Sequence, residues 1–333
     1  MYLCSRQVVL GINVEYTGDG KVWFGFVSLQ LSGNHRPYMD MGNDGRSEPI
    51  FFDFPFSIAL FPIFVFLKFV SMNAEEIIGL MESMADEQQR AVLTRFFKTG
   101  TGQYGEGDSF LGIKVPVTRE VVKEAKGLPL SEIQTLLNSH WHEVRLCGFL
   151  ILVASFESLC KKKVAARQSS VIARDEIIQF YLDNASRANN WDLVDLSVIK
   201  IIGNWLLLPT CLGNEPGNTQ PSMNREYKIS VLDSLADSDC LWKQRMSIVC
   251  TWKTSQNSEP EWCRRYALRH LHHEHDLMHK AVGWMLREMG SRCDVELLRD
   301  FLRDHSGEMP RTMLRYAIEK LPEDERQYWL GRR

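Results

Sequence analysis

The chain has 333 residues, a formal net charge of −3 and eight cysteines. That length suits one extended helical domain or two compact ones. The nearly balanced charge excludes an arginine-rich nucleic-acid tail but leaves room for a locally positive face, because steering depends on where charges lie. Cys4, Cys147, Cys160, Cys211, Cys240, Cys250, Cys263 and Cys293 form no CxxC pair and no close metal spacing. Most sit among apolar neighbours, as in FLILVASFESLC. They read as reduced core thiols of an intracellular protein, cytoplasmic or in the nucleoid or nucleus.

The first 71 residues differ from the rest. Residues 1–49 are rich in glycine and polar groups, with VVLGINVEY and KVWFGFVSLQL as two candidate strands. The run IFFDFPFSIALFPIFVFLKFV, residues 50–70, has the length of a membrane span. Asp53, Pro55, Pro62 and Lys68 interrupt it, and it begins too far in for an ordinary signal peptide. A membrane anchor is the alternative reading. The preferred one is an untypical extension, produced by a misplaced start codon, with Met72 as the beginning of a soluble helical protein.

From Met72, MNAEEIIGLMESMADEQQRAVLTRFF has helical spacing and an acidic first turn, which suits the positive end of a helix dipole. A glycine-rich link follows, KTGTGQYGEGDSFLGIKVP, ending at Pro116. It lacks GK[ST] and a strand-then-helix context, so it is no phosphate-binding signature. Beyond it, helical patterns of roughly 10–18 residues run to the C-terminus without strand alternation. The expected fold class is all-α. Successive amphipathic hairpins stack as a solenoid of degenerate repeats with a curved inner surface. One long loop, TCLGNEPGNTQPSMNRE at 210–226, is expected to project into solvent.

Aromatic and charged residues recur at helical spacing within this array. In NNWDLVD, Trp191 and Asp195 are four apart and share a helix face, whereas Asp192 points elsewhere. Trp242 precedes Arg245 by three residues in LWKQR, and Trp284 precedes Arg287 by three in KAVGWMLRE. Stacked helices would bring Trp191, Asp195, Arg245 and Trp284 together along one concave groove. The plainer alternative for each tryptophan is core packing. Asp195, flanked by Val194 and Leu196, needs a partner if buried. Arg245 is available, so a purely structural Asp–Arg bridge stays open.

From Met72 onward the sequence resembles the HEAT-like-repeat DNA alkylation repair glycosylases, the AlkD family. The resemblance is carried by FLGIKVP (Phe110–Pro116), HEVR (His142–Arg145), WDLVD (Trp191–Asp195), LWKQR (Leu241–Arg245), KAVGWMLRE (Lys280–Glu288) and RTMLRYAI near the end. It covers some 260 residues; residues 1–71 and loop 210–226 lie outside it. The resemblance implies a HEAT-like-repeat superhelix over 72–333 that removes cationic N3- and N7-alkylated purines from duplex DNA without base flipping. It assigns Asp195 as the catalytic carboxylate, Trp191 and Trp284 as the aromatic contacts and Arg245 as the groove arginine. Asn190 stands where the family tolerates a second tryptophan, which would alter DNA contact or lesion preference.

Candidates for DNA-backbone contact are His142, Arg145, Lys161, Lys162, Lys163, Lys280, Arg287, Arg311 and Arg315. The cluster HLHHEHDLMH, His270–His279, fails the HExxH pattern because Leu277 occupies the closing position. It reads as an inter-helix turn, with His279 or Lys280 near DNA. No metal or cofactor is expected. No Schiff-base lysine accompanies the match, which implies a monofunctional glycosylase that leaves an abasic site, acting as a monomer. The competing reading is a non-catalytic helical-repeat scaffold for nucleic acid or protein.

Overall fold

The computed structural model describes residues 8–16, 22–31 and 72–332. The chain divides into two compact units, Met1–Phe61 and Pro62–Arg333. In the first, β1 (Val8–Tyr16) and β2 (Val22–Leu31) pair antiparallel, with Val8 opposite Leu31, Tyr16 opposite Val22 and one irregularity between Ile12 and Asn13. These are the two runs expected as strands. The apolar run 50–70 lies outside the described residues. Among the described residues no helix is long and apolar enough to cross a membrane.

The described part of the second unit is essentially all-α. Asn73 opens α1 (Ala74–Ser83) with a reciprocal cap, its side chain accepting from the Glu76 amide while Glu76 accepts from the Asn73 amide. The sequence pattern suggests one helix continuing past this point, but Asp86 breaks it. Its extended backbone and its bond from the Gln89 amide start a new helix, α2 (Glu87–Phe96). Pro116 in the first turn preorganises α3 (Val115–Glu124). There follow α4 (Leu130–Leu137), α5 (His142–Leu159), α6 (Gln168–Asp183), α7 (Trp191–Val198) and α8 (Ile202–Leu206). Then come α9 (Arg225–Ala236), α10 (Leu241–Val249), α11 (Thr251–Gln256) and α12 (Glu261–Arg269). The chain closes with α13 (Asp276–Arg292), α14 (Val295–His305), α15 (Arg311–Ala317) and α16 (Glu323–Gly331).

Their packing has a simple order. Helix α5 packs on α7, α7 on α10, α10 on α13, and α13 on α15. A second set flanks this row: α4 and α6 lie against α5, α9 against α10, and α12 and α14 against α13. Each helix of the row carries one short motif: HEVR, WDLVD, LWKQR, KAVGWMLRE and RTMLRYAI respectively. Helix α5 is buried on every side from His142 to Val153, as expected of a helix with apolar residues all round. One core runs from Ala74 to Trp329. The close approach of α13 and α15 depends on Gly283 of α13. A Cβ there would stand 2.4 Å from the Met313 carbonyl oxygen of α15, so the two backbones meet only because position 283 has no side chain.

Loop 210–226 is largely exposed, in line with the expectation, and it is also anchored. Its middle is exposed, but its base is tied down. The buried Asp175 of α6 accepts from the Thr210 hydroxyl (2.5 Å) and the Cys211 amide (2.7 Å), and Thr210 and Ser222 form a backbone bridge. The cost of burying the Asp175 carboxylate is offset by these bonds. The loop is therefore a pinned excursion rather than a free one.

Candidate functional site

Asp195 and Arg245 form a two-pronged pair between α7 and α10. Nε of Arg245 donates to Oδ1 and Nη2 to Oδ2, both at 2.8 Å. The side chains are only 15 % and 7 % exposed. Nη1 of Arg245 donates to the Leu277 carbonyl of α13 at 2.7 Å, so one guanidinium ties three successive helices of the row. Burial raises the Asp195 pKa above the ordinary carboxylate value, and Arg245 offsets only part of that rise. The geometry offers both oxygens to N–H donors, which is the arrangement of the ionised carboxylate. With three of its donors committed, Arg245 is a brace for Asp195.

Trp191, one turn earlier on α7, is half-buried. Its ring stacks on Phe97 (5.4 Å between centroids) and meets Phe96 edge-on (5.9 Å). The stack continues inward from Phe97 to Phe110 (5.0 Å) and from Phe110 to His142 (4.4 Å). One face of Trp191 is thus fixed by a column of rings anchored in the core.

At the base of that column lies a buried polar network that the sequence did not reveal. Asp108, in the glycine-rich link, accepts from Arg145 Nη2 (2.6 Å) and Asn190 Nδ2 (3.2 Å) and bonds His142 Nδ1 (2.7 Å). Nε2 of His142 bonds Asp192 at 2.9 Å. Burial alone lowers the His142 pKa, but the Asp192 and Asp108 carboxylates more than reverse this and raise it to about 9. Glu143, next in HEVR, accepts from the backbone amides of Leu111, Gly112 and Ile113. FLGIKVP and HEVR are therefore two halves of one structural unit. The two carboxylates of WDLVD face different neighbours, Asp192 toward α5 and Asp195 toward α10.

Burial corrects several expected DNA contacts. His142 (1 % exposed), Arg145 (5 %) and Asn190 (0 %) are internal. Arg145 also donates to the Ser139 and His140 carbonyls and to Asn189, and Asn190 accepts from the Trp191 amide as the N-cap of α7. Lys161, Lys162 and Lys163 are exposed, but they follow the C-terminal end of α5. That end is about 25 Å along the helix from His142, at about 1.5 Å per helical residue. Arg287 is bound to Glu319 and lies beside Glu288. Arg311 is exposed and donates to the Leu330 carbonyl, and Arg315 is exposed. Lys280 pairs with Asp276. Trp284 is half-buried. It shares a face of α13 with Leu277 but lies two turns, about 10 Å, further along. The structure thus joins Trp191, Asp195 and Arg245 closely, with Trp284 further along the row.

The histidine cluster forms the turn between α12 and α13, and its imidazoles are engaged by protein groups. His270 bonds the Ser247 hydroxyl, His273 bonds Gln244, His275 caps α13 and His279 bonds the His273 carbonyl. Among the described residues no group of three histidine, cysteine, aspartate or glutamate side chains could hold a metal ion. The described cysteines are free thiols, and burial pushes Cys147 and Cys263 up to about 12, a setting that makes them unreactive.

Comparison with known proteins adds the following. The family described as DNA alkylation repair enzyme matches residues 77–321. No curated protein matches the chain. Among solved structures, the chain is similar to a predicted DNA alkylation repair enzyme from Enterococcus faecalis, at 14 % identity and a TM-score of 0.48, over 72 % of this chain and 97 % of that one.

Proposed function

The chain belongs to the DNA alkylation repair enzyme family, and from that premise we propose that it is a monofunctional DNA glycosylase acting on cationic purines. It hydrolyses the N-glycosidic bond of N3- or N7-alkylated purines in duplex DNA and leaves an abasic site. Residues 72–333 form the HEAT-like-repeat repair domain, with loop 210–226 as an insertion and residues 1–71 as an extension. The row of helices from α5 to α15 lines a concave groove for the duplex. The damaged nucleotide is not rotated into a pocket, in contrast to most enzymes that act on a base. The protein works as a monomer without metal or cofactor.

The observation that carries this reading is the braced Asp195 one helical turn from Trp191. An N-alkylated purine is already a cation and a good leaving group, so no acid is needed to protonate it. As the bond to the base lengthens, positive charge develops on the deoxyribose. Asp195 stabilises that charge and orients a water toward the anomeric carbon. Arg245 favours the ionised carboxylate against the effect of burial and holds it fixed by two hydrogen bonds, so little reorganisation is required when the charge appears. The exposed part of the Trp191 ring favours the cationic sugar and base by roughly 0.5–2 kcal/mol. Trp284, further along α13, contacts the DNA backbone beside the lesion.

The test is base release from methylated duplex DNA by the parent and by Asp195→Asn. The parent should release 7-methylguanine or 3-methyladenine. The variant should lose about 10²-fold in rate, the scale of one fixed electrostatic contact, while still binding DNA. A folded parent that binds DNA and releases no base would instead be a non-catalytic scaffold.

A further inference from the structure

Between the turn that follows α2 and the start of α13 lies a cleft of about 370 Å³, lined by Lys98, Tyr104, His275, Asp276, Leu277 and Lys280 among others. The chemistry assigned to Asp195 uses none of these side chains. The cleft nevertheless adjoins that site. Its Leu277 wall supplies the carbonyl that accepts from Arg245, and the Tyr104 ring meets Trp242 of α10 edge-on at 6.2 Å.

The turn that carries Lys98 is firmly built. The Gly105 amide donates back to the Lys98 carbonyl (3.1 Å). Gln103 and Glu106 accept from the amides of Gly100 and Gly102. A Cβ at Gly105 would stand 2.4 Å from the Phe97 carbonyl oxygen. Three residues on, Asp108 ties the segment to His142 and Arg145. Lys98 itself is held at φ +51°, a conformation that costs a non-glycine residue and that clusters at functional sites.

Charge decides what the cleft would accept. The Lys280 ammonium shares its charge with Asp276 at 2.7 Å. The Lys98 ammonium lies 5.9 Å from the Tyr104 ring and has no ion-pair partner among the described residues. Two lysines against one carboxylate leave the cleft positive. It would repel a cationic purine, which the Asp195 side suits, and attract an anion.

We propose that this cleft seats a phosphodiester of the strand carrying the alkylated base, with Lys98 as its principal cation and Lys280 as the second. The proposal rests on the reading of the chain as a DNA glycosylase. Lysine acts here as a point charge on the phosphate oxygens and carries no sequence information.

Lys98→Gly is the informative variant, because glycine adopts positive φ freely and should leave the turn intact. The full chain, Lys98→Gly and Lys98→Arg are titrated with a duplex carrying a tetrahydrofuran abasic-site analogue over a series of salt concentrations. Lys98→Gly should bind more weakly and lower the slope of log affinity against log salt by about 1, the signature of one lost phosphate contact. Lys98→Arg should restore both. A Lys98→Gly protein that melts with the parent and keeps its slope overturns the proposal, whether or not its affinity changes. Base release by the same parent preparation separates the two readings. Release with an unaltered Lys98→Gly slope defeats the cleft alone, and a reduced slope without release defeats the glycosylase reading alone.

Discussion

An imidazole removed from water ordinarily sheds its proton, yet His142 is clamped between two carboxylates and keeps it. Burial is the largest influence and acts downward, but Asp192 and Asp108 together raise the pKa to about 9. Asp108 is affected in the opposite sense. Burial would raise it, and His142 and Arg145 hold it below the usual carboxylate value. The folded pKa of His142 lies above its unfolded value of 6.5. The bound proton therefore stabilises the fold fully below about pH 6.5, and that contribution fades as pH rises through about 9. The shift corresponds to at most about 3 kcal/mol. Urea unfolding at a series of pH values should show stability falling across that window. His142→Gln should remove most of the fall, since its side chain carries no proton to lose. Lys228, lowered by burial to about 8, acts in the opposite sense above that pH. The difference between parent and variant is therefore the readout: identical pH profiles for the two would mean that His142 is neutral when folded. Because His142 also ends the ring column beneath Trp191, the charge is a structural support for the site rather than part of its chemistry.

Pairs of helices meet under different constraints, and two glycines separate them experimentally. Gly79 of α1 is exposed, with nothing within 4 Å of a Cβ built there. Gly79→Ala should raise stability by about 0.5–1 kcal/mol through helix propensity. Gly283→Ala would press a methyl against the Met313 carbonyl oxygen at 2.4 Å, a backbone atom that cannot turn aside. It should cost about 1–3 kcal/mol by overpacking, so the two melting temperatures should move in opposite directions. At this scale the sequence was informative where periodicity carried the signal. The helices and the i, i+4 relation of Trp191 and Asp195 were readable from local spacing, whereas Arg245, 50 residues from Asp195, entered through the expected stacking of helices and the family resemblance. The Asp108 network was not, because its partners lie 34 and 82 residues away and its own surroundings look like a mere glycine-rich link. For the same reason HEVR read as a pair of DNA contacts. Only packing shows that His142 and Arg145 face inward, and that Lys161–Lys163 sit at the far end of α5.

For the molecule as a whole, a net charge of −3 gives no general attraction to DNA. On the proposed reading, affinity for DNA would come from a few well-placed cations acting within a Debye length of the duplex, about 8–10 Å at ordinary salt. Binding should therefore be modest and strongly dependent on the helical unit alone. That unit holds one core from Ala74 to Trp329, and the family match begins at residue 77. The motif helices and the side chains assigned to the site all lie within residues 72–332. A chain beginning at Met72 should consequently unfold in a single transition at the parent's midpoint and release alkylated purines at the parent's rate. Thermal unfolding and base-release assays on the two proteins check this together. A lowered midpoint would show that the extension contributes to the stability of the helical unit. An unchanged midpoint with weakened DNA binding would give the extension a part in holding the duplex, most plainly through its own lysines and arginines. If both measurements match the parent, the array from α1 to α16 is the complete repair unit, with recognition and chemistry both contained within it.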